Sequence, residues 1–262
     1  MKKIILFLIF VPIFLGAIYF FWLTPRYTVP ILMYHNIGYG EGSFFVLPEK
    51  FTKQMEYIKN NGYQVITLDE LVASIKGKKH LKRNKVVITF DDGYKDNFQY
   101  AYPVLKKLGF PATVFIISDF AGKTLSNGKE FLNWDQMVLM SKDGISFGGH
   151  TKNHLYLGSM KDEKTALEQI VGSKKAIEDK IGMPVDYFCY PSGGFNNRVK
   201  ELVAQAGYKG ACTTNRGFVK FNRDVYELKR IKVTNLDATK PFSFWAKLSG
   251  YYNILRKEKS PY

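Results

Sequence analysis

Short apolar runs rich in β-branched residues alternate along the chain with segments of helical hydrophobic spacing. Strands are predicted at 30–36, 63–66, 86–90, 111–117, 144–147, 186–190, 209–213 and 228–233. Helices are predicted at 48–60, 70–75, 97–108, 134–140, 162–181 and 196–206, with Asp69 as the expected cap of the second. Because the two kinds of segment alternate with short connections, the pattern favours a parallel α/β sheet. The pattern alone leaves open whether the sheet closes into a barrel or is doubly wound.

Two adjacent carboxylates end one of the predicted core strands. Residues 86–90 are four apolar residues and one Thr, and Asp91, Asp92 and the turn former Gly93 follow directly. Because α/β folds carry their chemistry at the carboxyl ends of such strands, these acids are candidate functional groups. Adjacent carboxylates repel, so a cation or strong donors must lie nearby. Taken alone, Asp-Asp-Gly is more typical of a turn that caps the next helix.

Two of the four histidines, His150 and His154, follow another predicted strand. Residues four apart can face one cation in a helix or a tight loop. One carboxylate and two imidazoles, with positions left for water, suit a catalytic divalent metal such as zinc. A lone His-x-x-x-His is more often a surface pair, but beside Asp91 and Asp92 we favour a metal site.

The N-terminus is predicted to be a membrane segment. Lys2 and Lys3 precede an uncharged stretch at 4–23, whose 20 residues match the roughly 20 that cross a bilayer as a helix. Tyr19 and Trp22 near its far end are typical interfacial aromatics. We interpret residues 1–29 as an uncleaved signal anchor with one transmembrane helix and a linker, which places the remaining chain outside the cytoplasm. A cleaved signal peptide, followed by secretion, is the alternative.

Composition and charge limit the remaining interpretations. The 262 residues are enough for one sizeable domain, and the net charge is +15. Because the lysines are scattered, a nucleic-acid groove is not indicated, and an anionic lipid or cell-wall polymer is the more economical partner. The aromatic and basic tail at 241–262 is predicted to pack on the domain as an amphipathic helix, with a membrane-surface location as the alternative. Cys189 and Cys212 are either paired or buried free thiols.

Three motifs carry a resemblance to a known family. Thr-Phe-Asp-Asp-Gly-Tyr at 89–94, His-Thr-Lys-Asn-His at 150–154 and Tyr-Pro-Ser-Gly-Gly-Phe-Asn at 190–196 resemble those of the polysaccharide deacetylases with the NodB homology domain, carbohydrate esterase family 4. The likeness covers roughly 30–234, and it is nearest to the poly-N-acetylglucosamine deacetylase branch. It implies a distorted (β/α) barrel of about seven units for a domain at 30–240.

The resemblance also implies roles for individual residues. Asp91 corresponds to the general base, and Asp92 corresponds to a metal ligand together with His150 and His154. The metal would most simply be zinc, with cobalt or nickel as alternatives. The third motif aligns the main-chain N–H of Ser192 with the donor that stabilises the oxyanion.

At two positions the sequence departs from the family pattern, so we expect other residues to take over the two missing roles. Cys189 stands where the family has an Arg that orients the catalytic Asp, and no His follows His154 to supply the usual general acid. In the poly-N-acetylglucosamine branch, a His from the first strand acts as that acid, so we assign this role to His35. Arg230 is the hypothesised replacement partner of Asp91.

The function that the sequence predicts is that of an exported, membrane-anchored, metal-dependent N-deacetylase of an N-acetylated glycan. The alternative is a glycan-binding module of the same fold with impaired catalysis, which the two departures favour and the retained Asp and His residues disfavour. A metal-dependent hydrolase acting on another amide or ester is a third interpretation. The polymer and the oligomeric state are left open.

Replacing His35 with Ala should lower turnover by about 10²–10⁴-fold, the usual contribution of a general acid, and should leave the metal content unchanged. The measurements are acetate release and metal content on the same preparations. Loss of bound metal in this variant would instead make His35 a ligand or a structural residue.

Overall fold

The core of the protein is a parallel sheet of nine strands. The computed structural model describes residues 2–23, 27–79, 81–215, 222–254 and 256. Its strands are β1 Ile31–Tyr34, β4 Gln64–Val65, β5 Lys85–Phe90, β6 Ala112–Ile116, β7 Ile145–Gly149, β8 Tyr187–Cys189, β9 Gly210–Thr213, β10 Leu228–Lys229 and β11 Ile231–Lys232. A separate two-stranded ladder joins β2 Asn36–Ile37 to β3 Phe45–Val46.

The sheet nearly closes on itself. Its hydrogen-bonded order is β10-β9-β8-β7-β6-β5-β1-β11, with β4 paired to β5. The two end strands, β10 and β11, are separated in the chain by Arg230 alone. One interrupted strand therefore pairs with β9 through its first half and with β1 through its second half. The result is a near-closed α/β barrel, as the family resemblance implied, and not an open doubly wound sheet.

Amphipathic helices surround the barrel, because each turns its apolar side chains to the sheet. They are α2 Pro48–Asn60, α3 Leu68–Lys76, α4 Tyr102–Leu108, α5 Trp134–Ser141, α6 Glu163–Ile181 and α7 Asn197–Gln205, followed by α8 Asn235–Thr239 and α9 Pro241–Leu248. A π-helical turn at Asn97–Ala101 leads into α4, so the helix predicted at 97–108 has two parts. The cap predicted for Asp69 is wrong. Thr67 caps α3 by accepting from the Glu70 N–H at 3.1 Å, and Asp69 accepts from the Tyr187 hydroxyl.

The N-terminal segment is helical, but it does not support the predicted transmembrane helix. The first helix, α1, is Lys2–Ala17, and a π-helical segment continues it over Ile18–Leu23. Over the part of the chain that the structure describes, no helix combines the length and the apolar character needed to cross a membrane.

The C-terminal segment packs on the barrel through a buried ion pair. Lys247 Nζ on α9 donates to Asp237 Oδ2 at 2.7 Å and to the Lys232 carbonyl at 2.8 Å. Phe244 and Leu248, from the same helix, are buried in the main apolar core. The helix is therefore held on the barrel by apolar burial, by a hydrogen bond to β11 and by the ion pair with Asp237 on α8.

Replacing Lys247 with Ala should destabilise the fold by about 3–5 kcal/mol, because it leaves the Asp237 carboxylate buried without its partner. Denaturant unfolding measures the loss. The matched control is Lys175→Ala, which removes the exposed Lys175–Asp179 pair and should cost at most about 1 kcal/mol. Equal losses in the two variants would show that the buried pair does not hold the C-terminal helix.

Candidate active site

A cleft of about 910 Å³ opens at the carboxyl ends of the barrel strands. Because parallel strands end at one edge of a sheet, residues that are distant in the chain meet there. The cleft brings together every site residue that the sequence predicted. They are His35, Asp91, Asp92, His150, His154, Ser192 and Arg230.

Three of these side chains form a set that could hold a metal. Asp92 Oδ1 lies 3.3 Å from His150 Nε2 and 3.4 Å from His154 Nε2. The ligand atoms of the three residues all lie within 4.8 Å of one another. Asp92 Oδ1 is buried and has no hydrogen-bond partner among the described residues, which is costly unless an ion satisfies it. The donor set and the orphaned oxygen therefore fit a small divalent cation.

A main-chain contact orients one of the imidazoles. His150 Nδ1 lies 2.7 Å from the carbonyl oxygen of Cys189, at the end of β8. Because a carbonyl only accepts, Nδ1 donates to it, and Nε2 is directed at Asp92 Oδ1. This is the outer contact that metal-binding histidines usually make, and it suits His150 to be a ligand.

The backbone is strained at several of these positions. Among the described residues, six residues other than glycine have a positive φ. Four of the six lie at or beside the site: Asp92 at 70°, Thr151 at 60°, His154 at 65° and Ser192 at 53°. Such conformations cost of order 1–3 kcal/mol each and cluster at functional sites. The sharp turns after the strands turn the Asp92 and His154 side chains towards one another, a feature that the sequence does not show.

Asp91 is fixed by Arg230 from the closing strand. The guanidinium donates from Nη1 to Asp91 Oδ1 at 2.6 Å and from Nη2 to Oδ2 at 2.7 Å, and both side chains are buried. Nη1 also donates to Thr89 Oγ1 at 3.1 Å. Burial alone would raise the pKa of Asp91, but the charge and hydrogen bonds of Arg230 lower it below its ordinary value. The carboxylate is therefore ionised and held in one orientation by two parallel bonds.

Cys189 occupies the space beside this pair. Its sulfur lies 3.0 Å from Arg230 Nη2 and 3.7 Å from Asp91 Oδ1. The position at which the family has an orienting Arg therefore touches the same carboxylate, but the cation comes from another strand. Cys189 and Cys212 are paired in register on β8 and β9 and are both free thiols, so the disulfide alternative is wrong. Burial raises the pKa of Cys212 to about 12.

His35 lies on the other side of Asp91. Its Nε2 is 3.7 Å from Asp91 Oδ2, and its ring centroid is 4.5 Å from that of Phe44. The Asn97 side chain donates to the His35 carbonyl at 2.8 Å, which fixes the backbone after β1. Burial lowers the pKa of His35, and the negative charges of Asp91 and Asp92 offset only part of this effect. The imidazole is therefore neutral beside an ionised carboxylate.

The sequence did not single out several residues that also line the cleft. The loop at 118–131 contributes Leu125, Asn127, Lys129 and Phe131 to the cleft. Phe44, Lys232 and Tyr252 line the cleft without any motif that could have indicated them. The fourth histidine of the chain, His80, lies outside the described residues.

The fold and the site define an α/β barrel whose cleft brings two aspartates, three histidines and an arginine together at the ends of its strands. Residues 78–211 match a family profile described as "Polysaccharide deacetylase". The chain belongs to the polysaccharide deacetylase family. The matched residues include Asp91, Asp92 and both site histidines, but neither His35 nor Arg230.

Known proteins agree with this assignment. The chain is 36% identical over 206 residues to YxkH of Bacillus subtilis, covering 79% of this chain and 71% of that protein. It is 26% identical over 201 residues to the poly-β-1,6-N-acetyl-D-glucosamine N-deacetylase of Staphylococcus aureus, covering 74% and 69% of the two chains. The solved structure of the deacetylase PplD of Streptococcus pyogenes, in complex with acetate, superposes with a TM-score of 0.70 at 28% identity, over 79% of this chain and 92% of that one.

Replacing Arg230 with Lys should lower kcat/KM by about 10²-fold, because a point charge cannot hold Asp91 by two parallel bonds and small misplacements of a reacting group are costly. Acetate release measures the effect, with circular dichroism as the check on folding. The double variant Cys189→Arg with Arg230→Met returns the cation to the family position and should recover part of the activity. Full activity of Arg230→Lys would show that the paired bonds are not needed.

Proposed function

We propose that the protein is a metal-dependent N-deacetylase of a glycan that contains N-acetylglucosamine. The observation that carries this proposal is the convergence of Asp92, His150 and His154 around one orphaned oxygen, with Asp91 directly adjacent. The relatives support the substrate class, since one is a poly-N-acetylglucosamine N-deacetylase and the other a deacetylase.

Asp92, His150 and His154 would hold the cation, for which zinc is the simplest candidate because its sites favour imidazole and carboxylate ligands. When bound, the cation supplies Lewis acidity to the attacking water and to the acetyl carbonyl.

Asp91 takes the proton from the attacking water as general base. Arg230 donates one hydrogen bond to each carboxylate oxygen. The second lone pair of each oxygen stays available to accept this proton. Because Arg230 holds the carboxylate ionised, Asp91 is ready to accept without first losing a proton. The ion pair also holds the base in place as its charge changes.

His35 protonates the leaving nitrogen. Since its imidazole is neutral before the reaction, it must gain a proton during turnover. Asp91 Oδ2 lies 3.7 Å away, so the proton taken from water can pass from Asp91 to His35 with a small movement of either side chain. The proton then reaches the nitrogen as the carbon–nitrogen bond breaks, which gives an amine and acetic acid. The proton of the acid passes to the amine and leaves acetate and an ammonium group.

The main-chain N–H of Ser192 is the donor that we assign to the developing oxyanion. Ser192 lines the cleft in the short 3₁₀ turn Pro191–Gly193, and its left-handed conformation turns this peptide away from the path of β8. A main-chain donor does not depend on the side chain, so the departure of this motif from the family pattern leaves the role intact.

The proposal includes export of the barrel, for which the support is the lysine pair followed by the uncharged stretch at 4–23. Cell fractionation with an antibody to the barrel tests this placement. Recovery from the membrane fraction indicates an anchor, and recovery from the medium at reduced mass indicates a cleaved signal.

The deciding experiment is acetate release from a panel of N-acetylated glycan oligomers, with and without a chelator. We expect activity that EDTA abolishes and zinc, cobalt or nickel restores. Asp92→Asn should lose both metal and activity, whereas Asp91→Asn should retain the metal and lose at least about 10²-fold in turnover. Activity that survives EDTA would contradict the mechanism. Glycan binding and metal content without acetate release would support the alternative of a binding module.

A further inference from the structure

The side chains around the reacting groups give the cleft a positive rim. Among the described residues, and outside the proposed catalytic and metal-binding ones, the cleft is lined by one carboxylate, Glu41, and by four cations: Lys129, Lys232, Lys247 and Arg256. The charge of Lys247 is offset by its ion pair with Asp237. The described part of the cleft therefore carries more basic than acidic side chains around the reacting groups.

Lys129 extends from the exposed loop before α5. Its Nζ donates to the Tyr94 hydroxyl at 3.3 Å and lies 5.5 Å from the centroid of the same ring. Burial, together with the nearby Asp92 carboxylate, raises the pKa of Tyr94, so this partner is a neutral phenol. The contact positions the ammonium group without cancelling its charge.

Aromatic rings position the remaining cations. Lys232 Nζ lies 3.7 Å from the centroid of Phe44 and donates to the hydroxyl of Ser43 at 2.8 Å. The guanidinium of Arg256 lies 4.8 Å from the centroid of Tyr252. Each cation rests on a ring that itself lines the cleft, so aromatic surface and positive charge are presented together.

The reaction makes this charge important for the choice of substrate. Hydrolysis of an N-acetyl group consumes water and releases acetate, and the nitrogen left on the polymer becomes an ammonium ion. A neutral polymer therefore becomes a polycation as it is processed, and a positive rim repels it increasingly. A polymer with carboxylate or phosphate groups is attracted at the start and remains attracted as amines appear.

We propose that the substrate of this cleft is an N-acetylated glycan that carries anionic substituents, carboxylate or phosphate, near the reacting sugar, where Lys129, Lys232 and Arg256 engage them. The inference rests on the proposed function, since it names the class of glycan on which that function acts. It also gives a role to basic residues that the reaction itself does not use.

The test compares oligomers of N-acetylglucosamine of equal length in three forms: neutral, bearing carboxylate ethers, and bearing phosphate esters. The measurement is kcat/KM for acetate release at low and high NaCl. We expect an anionic form to be preferred and the preference to shrink with salt, because solvent-exposed charges are screened over about 10 Å at 0.1 M. The two anionic forms distinguish carboxylate from phosphate recognition.

Charge variants of the zinc-loaded protein complete the test. Lys129→Gln and Arg256→Gln should each lower the ratio of anionic to neutral kcat/KM by about two- to fivefold. Lys142→Gln, an exposed lysine that does not line the cleft, is the matched control and should leave the ratio unchanged. Equal kcat/KM for the three forms, or rim variants that behave like the control, would overturn the inference and leave the deacetylase intact.

If the proposed deacetylase function is wrong, no oligomer releases acetate, which distinguishes this outcome from a failure of the charge preference alone. The same labelled oligomers can then be compared by fluorescence anisotropy, since the rim charge acts on binding without turnover. Tighter, salt-sensitive binding of the anionic forms would still support the inference, and indifference to charge would refute it.

Discussion

The buried ion pair between Arg230 and Asp91 is the interaction on which the arrangement of the site depends. Two charges taken out of water repay their desolvation only when the geometry is good and the remaining donors are satisfied. Here two parallel bonds of 2.6 and 2.7 Å meet the carboxylate, and Thr89 and Cys189 take up other contacts of the guanidinium. The pair fixes Asp91, the proposed base, and also ties the strand that completes the barrel to the end of β5.

The closing strand explains why Arg230 can do this. Leu228–Lys229 pairs with β9 and Ile231–Lys232 pairs with β1, so Arg230 lies at the change of partner between them. A residue in a continuous ladder would point strictly in or out. At the break, the side chain reaches the interior and lies against Cys189. The partner of Asp91 in this chain therefore comes from a strand other than the one that carries Cys189.

Much of this could be predicted from the sequence because the information is local. The strand–turn pattern around Asp91 and Asp92 and the spacing of His150 and His154 indicated which groups converge, and the structure brings them within 4.8 Å. Arg230, the partner predicted for Asp91, forms an ion pair with it. The cap of α3, the left-handed turns and the cleft-lining Phe44 and Tyr252 could not be predicted, because they depend on backbone geometry and on contacts between distant segments. At the N-terminus, local composition was not enough. The apolar stretch predicted a membrane-spanning helix, but none of the described helices is long and apolar enough to be one.

His35 directly follows the first strand of the barrel, and Arg230 lies between the last two, with 194 residues between these two positions. Both contact Asp91, so neither end of the barrel alone contains a complete set of reacting groups. A chain that is still being synthesised therefore lacks the ion pair of Asp91 until its final strand has emerged and paired. Assembly of the site is in this way coupled to completion of the barrel.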